Sequence, residues 1–306
     1  MTSASLERFH REVRGIWSRL GNVNWSDPSF TVDKAYVAAV FSKIAYLDIP
    51  EFELHSHSSA KVIPCLTYQQ LVSRRVSVDL KEFLRRLDFG EVIIITRPHV
   101  IVVVVFSRDV IFISFRGTRP LYVTDWMIDF HVSRIPTYVN KDVANFHSGF
   151  FQAVNSCLDE LSMRLVQRLG ALNSDVPIYV VGHSLGGAMA AVTHSLAGTT
   201  FFSRLGFGQD VVVPFQTHSC YTFGMPRYGD SETTCVLRGP NHIYNLHDVI
   251  PGVPPKWLGF EDAPQGYRLS GKGKLFLMPQ DSQNLSWWMS RSIRSHFIER
   301  YIHELP

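Results

Sequence analysis

A serine flanked by glycines is the residue of this chain best suited to nucleophilic chemistry. Residues 182–187 read Gly-His-Ser-Leu-Gly-Gly, and Ser184 is the serine. The apolar run 177–181 precedes this stretch, and the small residues 188–192 follow it. The order predicts a strand, a tight turn and a helix, which would point the hydroxyl out of the sheet. The alternative is an ordinary glycine turn capped by a serine, which the flanking pattern disfavours.

A serine hydroxyl needs a histidine to take its proton and an acid to orient that histidine. Where a serine lies on such a nucleophile elbow, the chain order is serine, then acid, then histidine. Asp248 follows the strand-like run 242–246, so we expect it in a loop at the end of a strand. Asp230 is more simply a helix cap, and Asp262 lies in a polar loop with no strand before it. We therefore predict Asp248 as the acid.

Two histidines follow Asp248 in the chain, His296 and His303. We expect His296 at or near the start of the final helix, beside polar neighbours. His303 lies near the chain end, where we expect it to face solvent or to pack against the body of the protein. Chain order and position therefore predict His296 as the base.

A tetrahedral intermediate also needs hydrogen-bond donors for its oxyanion. The backbone N–H of Leu185, directly after the serine, is the first expected donor. The second should follow an earlier strand. Residues 111–115 are an apolar, strand-like run, and Arg116, Gly117 and Thr118 come next. We predict that Thr118 supplies its N–H and its hydroxyl, although the same residues on their own are typical of a plain polar turn.

The elements that must position these residues follow from hydrophobic periodicity. Three short strands joined by tight turns predict an antiparallel meander, and strands alternating with helices follow it. This alternation predicts an α/β fold with a mainly parallel central sheet and helices on both faces. We expect one domain over residues 1–306, with 1–30 as an N-terminal helical extension. The expected helices are 1–20, 33–45, 66–87, 150–169, 186–197 and 292–305, and the expected strands are 92–96, 100–106, 110–115, 177–182, 218–223 and 242–246.

The charge, the cysteine spacing and the length of the apolar runs restrict the classes of function that this sequence can have. The formal charge is only +3, from 30 basic and 27 acidic residues, so we expect no nucleic-acid partner. The four cysteines have no metal-binding spacing, and Cys157 and Cys220 are expected to be buried free thiols. The apolar run 100–106 is too short to cross a membrane and is expected to be a buried strand. Residues 1–17 are charged throughout, so we expect a cytoplasmic protein or one exported without a cleaved leader.

Together these segments resemble the class 3 lipase family, the group of the fungal triacylglycerol lipases, over residues 35–305. The resemblance implies an α/β-hydrolase fold with Ser184 as nucleophile, Asp248 as acid, His296 as base, and Thr118 and Leu185 as oxyanion donors. The chain departs from the family in having no histidine within residues 267–271, and we expect neither the leader nor the disulfides of the secreted members. The matching segments are 115–118, Asp125 and Trp126 with Asp129, 147–150, 182–187, 222–230, 245–248 with Pro251, and His296 followed by Tyr301.

The resemblance implies a serine carboxylester hydrolase, a lipase that cleaves glycerolipid esters through an acyl-enzyme. It implies no metal ion and no organic cofactor. The expected partner is the lipid ester substrate, with transient contact at a membrane or lipid-droplet surface. Phospholipase A1 activity and short-chain or aromatic esterase activity remain alternatives. A non-catalytic lipase-like binding module is a further alternative, which the presence of all three residues of the triad disfavours.

Family members commonly carry a short helical lid after the oxyanion strand. The corresponding segment here, 119–135, is rich in large apolar residues. One hypothesis is that part of it covers Ser184 in water and swings aside at a lipid surface. The other is a fixed surface helix whose apolar face is permanently buried. The pair Trp287 and Trp288 is expected to pack in the core and to line an acyl groove, with contact at a membrane interface as the alternative.

Overall fold

The computed structural model describes residues 3–46, 89–98, 100–117, 133–172, 176–203, 210–270, 273–278 and 293–305. Its helices there are α1 Ser3–Leu20, α2 Val32–Ile44, α3 Ser148–Leu172, α4 Leu185–Leu196, α5 Ser231–Val236 and α6 Ile298–Glu304. Its strands are β1 Val92–Arg97, β2 Val100–Phe106, β3 Ile111–Phe115, β4 Arg134–Val139, β5 Asp142–His147, β6 Ile178–His183, β7 Thr200–Ser203, β8 Val211–Val212, β9 Ser219–Phe223, β10 Asn241–Asn245, β11 Gln265–Leu269 and β12 Leu275–Met278.

An eight-stranded sheet forms the centre of the fold, in the order β1-β2-β3-β6-β9-β10-β11-β12. Strands β3, β6, β9, β10 and β11 are parallel neighbours, whereas β1, β2 and β12 add antiparallel pairs at the two edges. The expected α/β fold with a mainly parallel sheet and an N-terminal antiparallel meander is therefore confirmed. Parallel strands place their carboxyl ends at one edge of the sheet, where reactive residues of such folds gather.

Helices cover both faces of this sheet because successive residues of each strand point to opposite sides. On one face, Ile113 and Val180 pack in a cluster with residues of α3 and α4. On the other face, Phe112 and Tyr179 pack in a second cluster with residues of α2 and α6. Strands β2, β3 and β6 are buried on both faces, so their sequences are nearly continuous apolar runs rather than alternating ones. The run 100–106 lies in β2, as expected.

The N-terminal helix α1 packs against α2. Residues 21–31, outside both helices, connect them, and Trp25 inserts edge-on between Phe112 and Tyr179, with ring centroids 5.3 and 5.0 Å away. Within the residues that the structure describes, no helix is both long and apolar enough to cross a bilayer. Cys157 and Cys220 are buried free thiols, as expected.

The structure adds elements that the sequence pattern did not reveal. A second, antiparallel sheet has the order β5-β4-β7-β8. Its strand β4 includes Arg134 and Ile135, so the last two residues of the expected lid segment belong to a strand. Strands β11 and β12 and the short helix α5 were also not predicted.

The final helix differs from its predicted range of 292–305. A 3₁₀ turn spans Ile293–His296, and α6 begins only at Ile298. Phe297 between them has extended backbone angles, φ −64° and ψ 134°, which no α-helix accommodates. Three predicted features lie outside the described residues: the helix 66–87, the tryptophan pair 287–288, and the lid segment up to residue 132.

Candidate active site

Ser184 lies at the turn between β6 and α4 in a strained backbone conformation. Its φ of 58° and ψ of −133° are rare for a residue that carries a side chain. The turn is crowded: a Cβ on Gly182 would lie 2.3 Å from the carbonyl oxygen of Gly186. A Cβ on Gly186 would lie 2.2 Å from the carbonyl oxygen of Phe115 at the end of β3. The glycines are therefore required for α4 to turn back so closely against the sheet.

Three side chains that are distant in sequence meet at this turn. His296 Nε2 lies 2.7 Å from Ser184 Oγ, and His296 Nδ1 lies 2.7 Å from Asp248 Oδ2. Ser184 and His296 are fully buried, and Asp248 is 2% exposed. Because a carboxylate only accepts hydrogen bonds, Nδ1 carries the proton and Nε2 is left to accept the proton of the serine. The structure thus brings together the three residues that chain order selected.

Asp248 is held by contacts that sequence reasoning did not assign. The Tyr301 hydroxyl donates to Asp248 Oδ2 at 2.6 Å, and the Ile250 N–H donates to Oδ1 at 2.9 Å. The Tyr301 oxygen in turn accepts from the Asn245 N–H at 3.2 Å. Burial first, and then the charge of Asp248, raise the pKa of Tyr301 well above its usual value. Tyr301 therefore stays protonated and acts as a donor to the carboxylate.

Gly224 packs closely against the side chains of Asp248, Tyr301 and His296. It has a φ of +53° and follows β9 directly. A Cβ there would lie 2.6 Å from Asp248 Oδ2, 2.8 Å from the Tyr301 hydroxyl and 3.0 Å from His296 Nδ1. Positive φ and close approach both require glycine at this position. Gly224 belongs to a segment that matched the family, which is a partial signal, but that match did not indicate this contact.

The expected oxyanion donors are only partly described. Leu185 begins α4 directly after the serine, and the first N–H groups of a helix have no partner within the helix. Thr118 lies outside the described residues, so its role stays a prediction. Its neighbour Gly117 is described and lies against the elbow: a Cβ there would be 2.5 Å from the His183 carbonyl oxygen and 3.2 Å from the Gly186 nitrogen.

The alternative acids and base lie elsewhere. Asp230 caps α5, accepting from the Thr233 N–H at 2.9 Å, as its sequence context suggested. Asp262 pairs with Arg227 at 2.7 Å, and His303 is exposed on α6. Among the side chains the structure describes, no three from His, Cys, Asp and Glu are grouped as a metal site would require. The chemistry that this arrangement can perform is proton transfer from a serine hydroxyl to an imidazole oriented by a carboxylate.

Comparisons with known proteins show similarity to lipases. Residues 112–257 match the family model described as Lipase (class 3). Triacylglycerol lipase OBL1 of Arabidopsis thaliana is 25% identical over 190 residues, which cover 48% of this chain and 35% of that protein. Phospholipase A1-IIgamma of the same organism is 26% identical over 219 residues, which cover 64% of this chain and 48% of that protein. The match thus spans less than half the length of these two relatives.

Solved structures share the fold. Lipase II from Rhizopus niveus superposes with a TM-score of 0.54 at 20% identity, covering 72% of this chain and 82% of that one. A triacylglycerol lipase whose catalytic centre is formed by a serine protease triad superposes with a TM-score of 0.51 at 21% identity, covering 67% of this chain and 79% of that one. At such identities the likeness establishes the α/β-hydrolase architecture.

Proposed function

We propose that this chain belongs to the class 3 lipase family, whose model residues 112–257 match, and that it is a serine carboxylester hydrolase that cleaves acyl esters of glycerolipids. The observation that carries the proposal is the chain of two 2.7 Å hydrogen bonds that joins Ser184, His296 and Asp248. The similar lipase with a serine protease triad supports the same assignment of roles.

In the first half of the reaction, His296 Nε2 takes the proton of Ser184 as Oγ attacks the ester carbonyl carbon. The carbonyl π bond becomes a lone pair on oxygen, giving a tetrahedral oxyanion. His296 then gives its proton to the leaving alcohol oxygen as the carbon–oxygen bond breaks. The alcohol departs, and the acyl group remains as an ester on Ser184.

In the second half, water takes the place of the alcohol. His296 removes one of its protons as the oxygen attacks the acyl-enzyme, and a second tetrahedral intermediate forms. Collapse breaks the bond to Ser184 Oγ, which recovers its proton from His296, and the fatty acid leaves. Asp248 keeps the imidazole oriented and offsets its transient positive charge, while the Tyr301 hydroxyl fixes the carboxylate.

We assign the oxyanion to the backbone N–H of Leu185 and to Thr118. Leu185 suits the role because it begins α4, where an N–H group is free to point at an anion. The support for Thr118 is the position of Gly117, which lies against the elbow. Loss of one such donor costs about 100-fold or more in turnover in other hydrolases.

The lipid class of the substrate is inferred from the names of the relatives, and these names differ in substrate although they share ester hydrolysis. One relative carries the name triacylglycerol lipase and another the name phospholipase A1. A third, from Fusarium solani, is named a secreted mono- and diacylglycerol lipase. We propose neutral glycerolipids as the substrate and keep phospholipids as the second candidate.

Contact with a lipid surface is the remaining part of the proposal. Trp257 is 77% exposed on the 3₁₀ turn Lys256–Leu258, in the loop that follows Asp248. Lys256 on the same turn pairs with Glu261 and Asp262, so this segment is firmly held. A fixed tryptophan beside the carboxyl edge of the sheet suits the interface between water and lipid. A lid within the segment 119–135 stays a prediction, with a fixed surface helix as the alternative, because only residues 133–135 of it are described.

A substrate series tests the function. Purified protein would be assayed with chromogenic esters of increasing chain length, then with a diacylglycerol and a phospholipid. We expect hydrolysis of the long-chain glycerol esters that disappears in Ser184→Ala, while His303→Asn, at the exposed histidine of α6, retains the full rate. Hydrolysis that survives in Ser184→Ala, or a folded protein inactive on every ester, would refute the proposal.

A further inference from the structure

Two side chains besides Ser184, His296 and Asp248, namely His183 and Tyr46, hydrogen-bond to segments that form the site. His183 Nε2 lies 2.6 Å from the carbonyl oxygen of His296, and its Nδ1 lies 3.0 Å from the Tyr46 hydroxyl. Tyr46 comes just after α2, far upstream of every other group in the site. The contacts span 113 and 137 residues of sequence, so they exist only in the folded chain.

The partners of His183 fix its protonation. A carbonyl oxygen only accepts, so Nε2 donates to His296 and carries the ring proton. Nδ1 then accepts from the Tyr46 hydroxyl, which also lies 3.3 Å from the His183 carbonyl oxygen. Burial first, and then the neighbouring His296, hold the pKa of His183 well below its usual value. The ring is therefore neutral, and both of its nitrogens are committed to holding other segments.

Tyr46 also contacts the oxyanion strand. Burial raises the pKa of its hydroxyl, and the charge of Arg116 and a backbone hydrogen bond from Gly117 lower that pKa in part. A Cβ on Gly117 would lie 2.4 Å from the Tyr46 oxygen. Gly117 directly precedes Thr118, the expected oxyanion donor. A single hydroxyl thus touches both the turn that leads to the oxyanion site and the ring that holds the base.

We propose that Tyr46 and His183 are positioning residues for the ester hydrolysis, and that together they hold the backbone of His296 and the turn at Gly117 in register with Ser184. This inference rests on the proposed function. His183 holds the base in two ways: its Nε2 donates to the His296 carbonyl oxygen, and its ring lies tilted against the His296 ring with centroids 4.6 Å apart. Asp248 contacts the same imidazole through Nδ1.

The proposal has a physical basis, because the reaction tolerates little displacement of its reacting groups. Proton transfer and oxyanion stabilisation need the reacting groups aligned, and a displacement of about 1 Å can cost about 100-fold in rate. His296 ends a 3₁₀ turn and is followed by extended Phe297, so no regular helix fixes its backbone. The His183 bond supplies that restraint, and Tyr46 connects it to α2, which packs against β6 and α6.

The first test is Tyr46→Phe, which removes one oxygen and keeps the ring. We expect kcat to fall about tenfold or more while KM stays within about twofold, because alignment for chemistry is lost and substrate binding is not. Inactivation by an alkyl phosphonate, which uses the same alignment, should slow in parallel. Rates would be taken at a temperature where thermal melting shows every variant folded.

Tyr179→Phe is the matched control. Its buried hydroxyl donates to the backbone carbonyls of Trp25 at 2.8 Å and of Asp27 at 3.0 Å, but Tyr179 lies near the start of β6, whereas His183 ends that strand beside the elbow. We expect a similar loss of thermal stability with kcat unchanged. The comparison separates positioning from general loss of a buried hydrogen bond.

A pair of His183 variants tests the bond to His296 directly. The amide of His183→Gln has an N–H near the position of Nε2, so it can still donate to the His296 carbonyl. His183→Asn keeps an acceptor near the position of Nδ1 and loses that donor. We expect the glutamine variant to retain several-fold more kcat than the asparagine variant, with similar KM values.

The outcomes distinguish the inference from the function on which it rests. Wild-type protein without Ser184-dependent hydrolysis would overturn the proposed function. An active wild type with Tyr46→Phe equal to Tyr179→Phe in kcat, or with a change confined to KM, would overturn the positioning role alone. Equal activity of the two His183 variants would overturn the bond to His296 as the restraint.

Discussion

At the scale of single residues, the site depends on backbone conformations that few side chains tolerate. Ser184 and Gly224 both have positive φ, at 58° and 53°. The first aims a hydroxyl at His296, and the second lets the backbone pass beneath Asp248, Tyr301 and His296. Strain of this kind is kept only where the surrounding packing imposes it.

Gly224→Ala is expected to impair catalysis far more than folding. The new methyl group would displace the carboxylate, the tyrosine hydroxyl or the imidazole, each within 3.0 Å of its position. We expect kcat to fall about 100-fold, as misalignment near 1 Å predicts. The backbone strain adds about 1–2 kcal/mol of destabilisation. The measurements are steady-state kinetics and thermal melting.

Gly198→Ala provides the control for the strain alone. Gly198 has φ +72°, and its Cβ would meet the side chain of Gln216 at 2.8 Å, in a turn after α4. It should lose comparable stability and keep the wild-type kcat. If Gly224→Ala retained the activity of Gly198→Ala, the close packing described beneath the site would be wrong.

The sequence identified Ser184, Asp248 and His296 because chain order and strand ends restrict the choice, and the structure brings these three together. Their catalytic roles remain predictions. The contacts of Tyr301 and Gly224 with Asp248 could not be inferred, since Tyr301 is 53 residues away and reaches the carboxylate only through the packing of α6. Thr118 lies outside the described residues.

At the scale of elements, the loop after Asp248 is held by one buried cation. Arg227 donates to the carbonyl oxygens of Gly252 and Pro254, both at 2.7 Å, and pairs with Asp262 at 2.7 Å. Arg227 follows β9, so it ties the acid-bearing loop to the neighbouring strand end. Both members of the ion pair are about 7% exposed.

Arg227→Met should therefore destabilise the fold by about 3 kcal/mol. The change leaves Asp262 buried without its main partner and two carbonyls without a donor, and loss of one member of a buried pair is expensive. Lys256, 3.0 Å from Asp262 Oδ2, compensates only in part. The measurement is urea unfolding, and the double variant with Asp262→Asn should cost less than the sum of the two single changes.

The surface pair of Arg164 and Glu160 is the matched comparison. It joins adjacent turns of α3 at 3.0 Å, with Arg164 48% exposed. Arg164→Met should cost less than about 0.5 kcal/mol, because exposed pairs contribute little. If Arg227→Met unfolded at the same urea concentration as Arg164→Met, the contacts of Arg227 with Asp262 and the two carbonyl oxygens would be unimportant for stability.

Six strands of the central sheet, β1, β2, β3, β6, β9 and β10, were predicted to within about one residue at each end, because most of their apolar runs are bounded by turns. The second sheet was missed for a physical reason. Strand β4 alternates exposed and buried residues, but it contains Pro136 and adjoins a segment rich in large apolar residues. Strand β8 has only two residues, too few for any pattern. The break at Phe297 depends on tertiary contacts of His296, which a local pattern does not contain.

At the scale of the whole molecule, the pKa values of four histidines among the residues that the structure describes are lowered by burial. Burial is the leading cause in each, and it lowers the pKa of His147 to about 4, of His194 and His242 to about 3, and of His183 well below its usual value. In the unfolded chain these groups take up protons near pH 6.5. Between about pH 4 and 6.5 the unfolded state therefore binds more protons than the folded state.

Stability is accordingly expected to fall as the pH is lowered through 6.5. Each histidine contributes up to about 1.4 kcal/mol per pH unit in that window, so four reduce the free energy of unfolding by about 5 kcal/mol between pH 7 and 5.5. Urea titrations at several pH values provide the measurement. A free energy that is constant, or that rises on acidification, would contradict the neutral burial of these rings.

His194→Asn isolates one of the four. The amide can still pair with Thr217, whose hydroxyl lies 2.6 Å from His194 Nδ1, but it does not titrate. The slope of the free energy of unfolding against pH should fall by the contribution of at most one proton, about 1.4 kcal/mol per pH unit. The same substitution at exposed His303 should leave the dependence as in the wild type, and equal slopes for the two variants would remove His194 from the explanation.

Phosphonate labelling followed by mass spectrometry tests the central assignment most directly. A p-nitrophenyl alkyl phosphonate should add one phosphonyl group to the wild-type protein, on Ser184 Oγ, with release of p-nitrophenol. Ser184→Ala should remain unlabelled. His296→Ala should be labelled at least about 100-fold more slowly than the wild type, and His303→Ala should be labelled at the wild-type rate. An adduct on any other residue, or labelling of His296→Ala at the wild-type rate, would contradict the account.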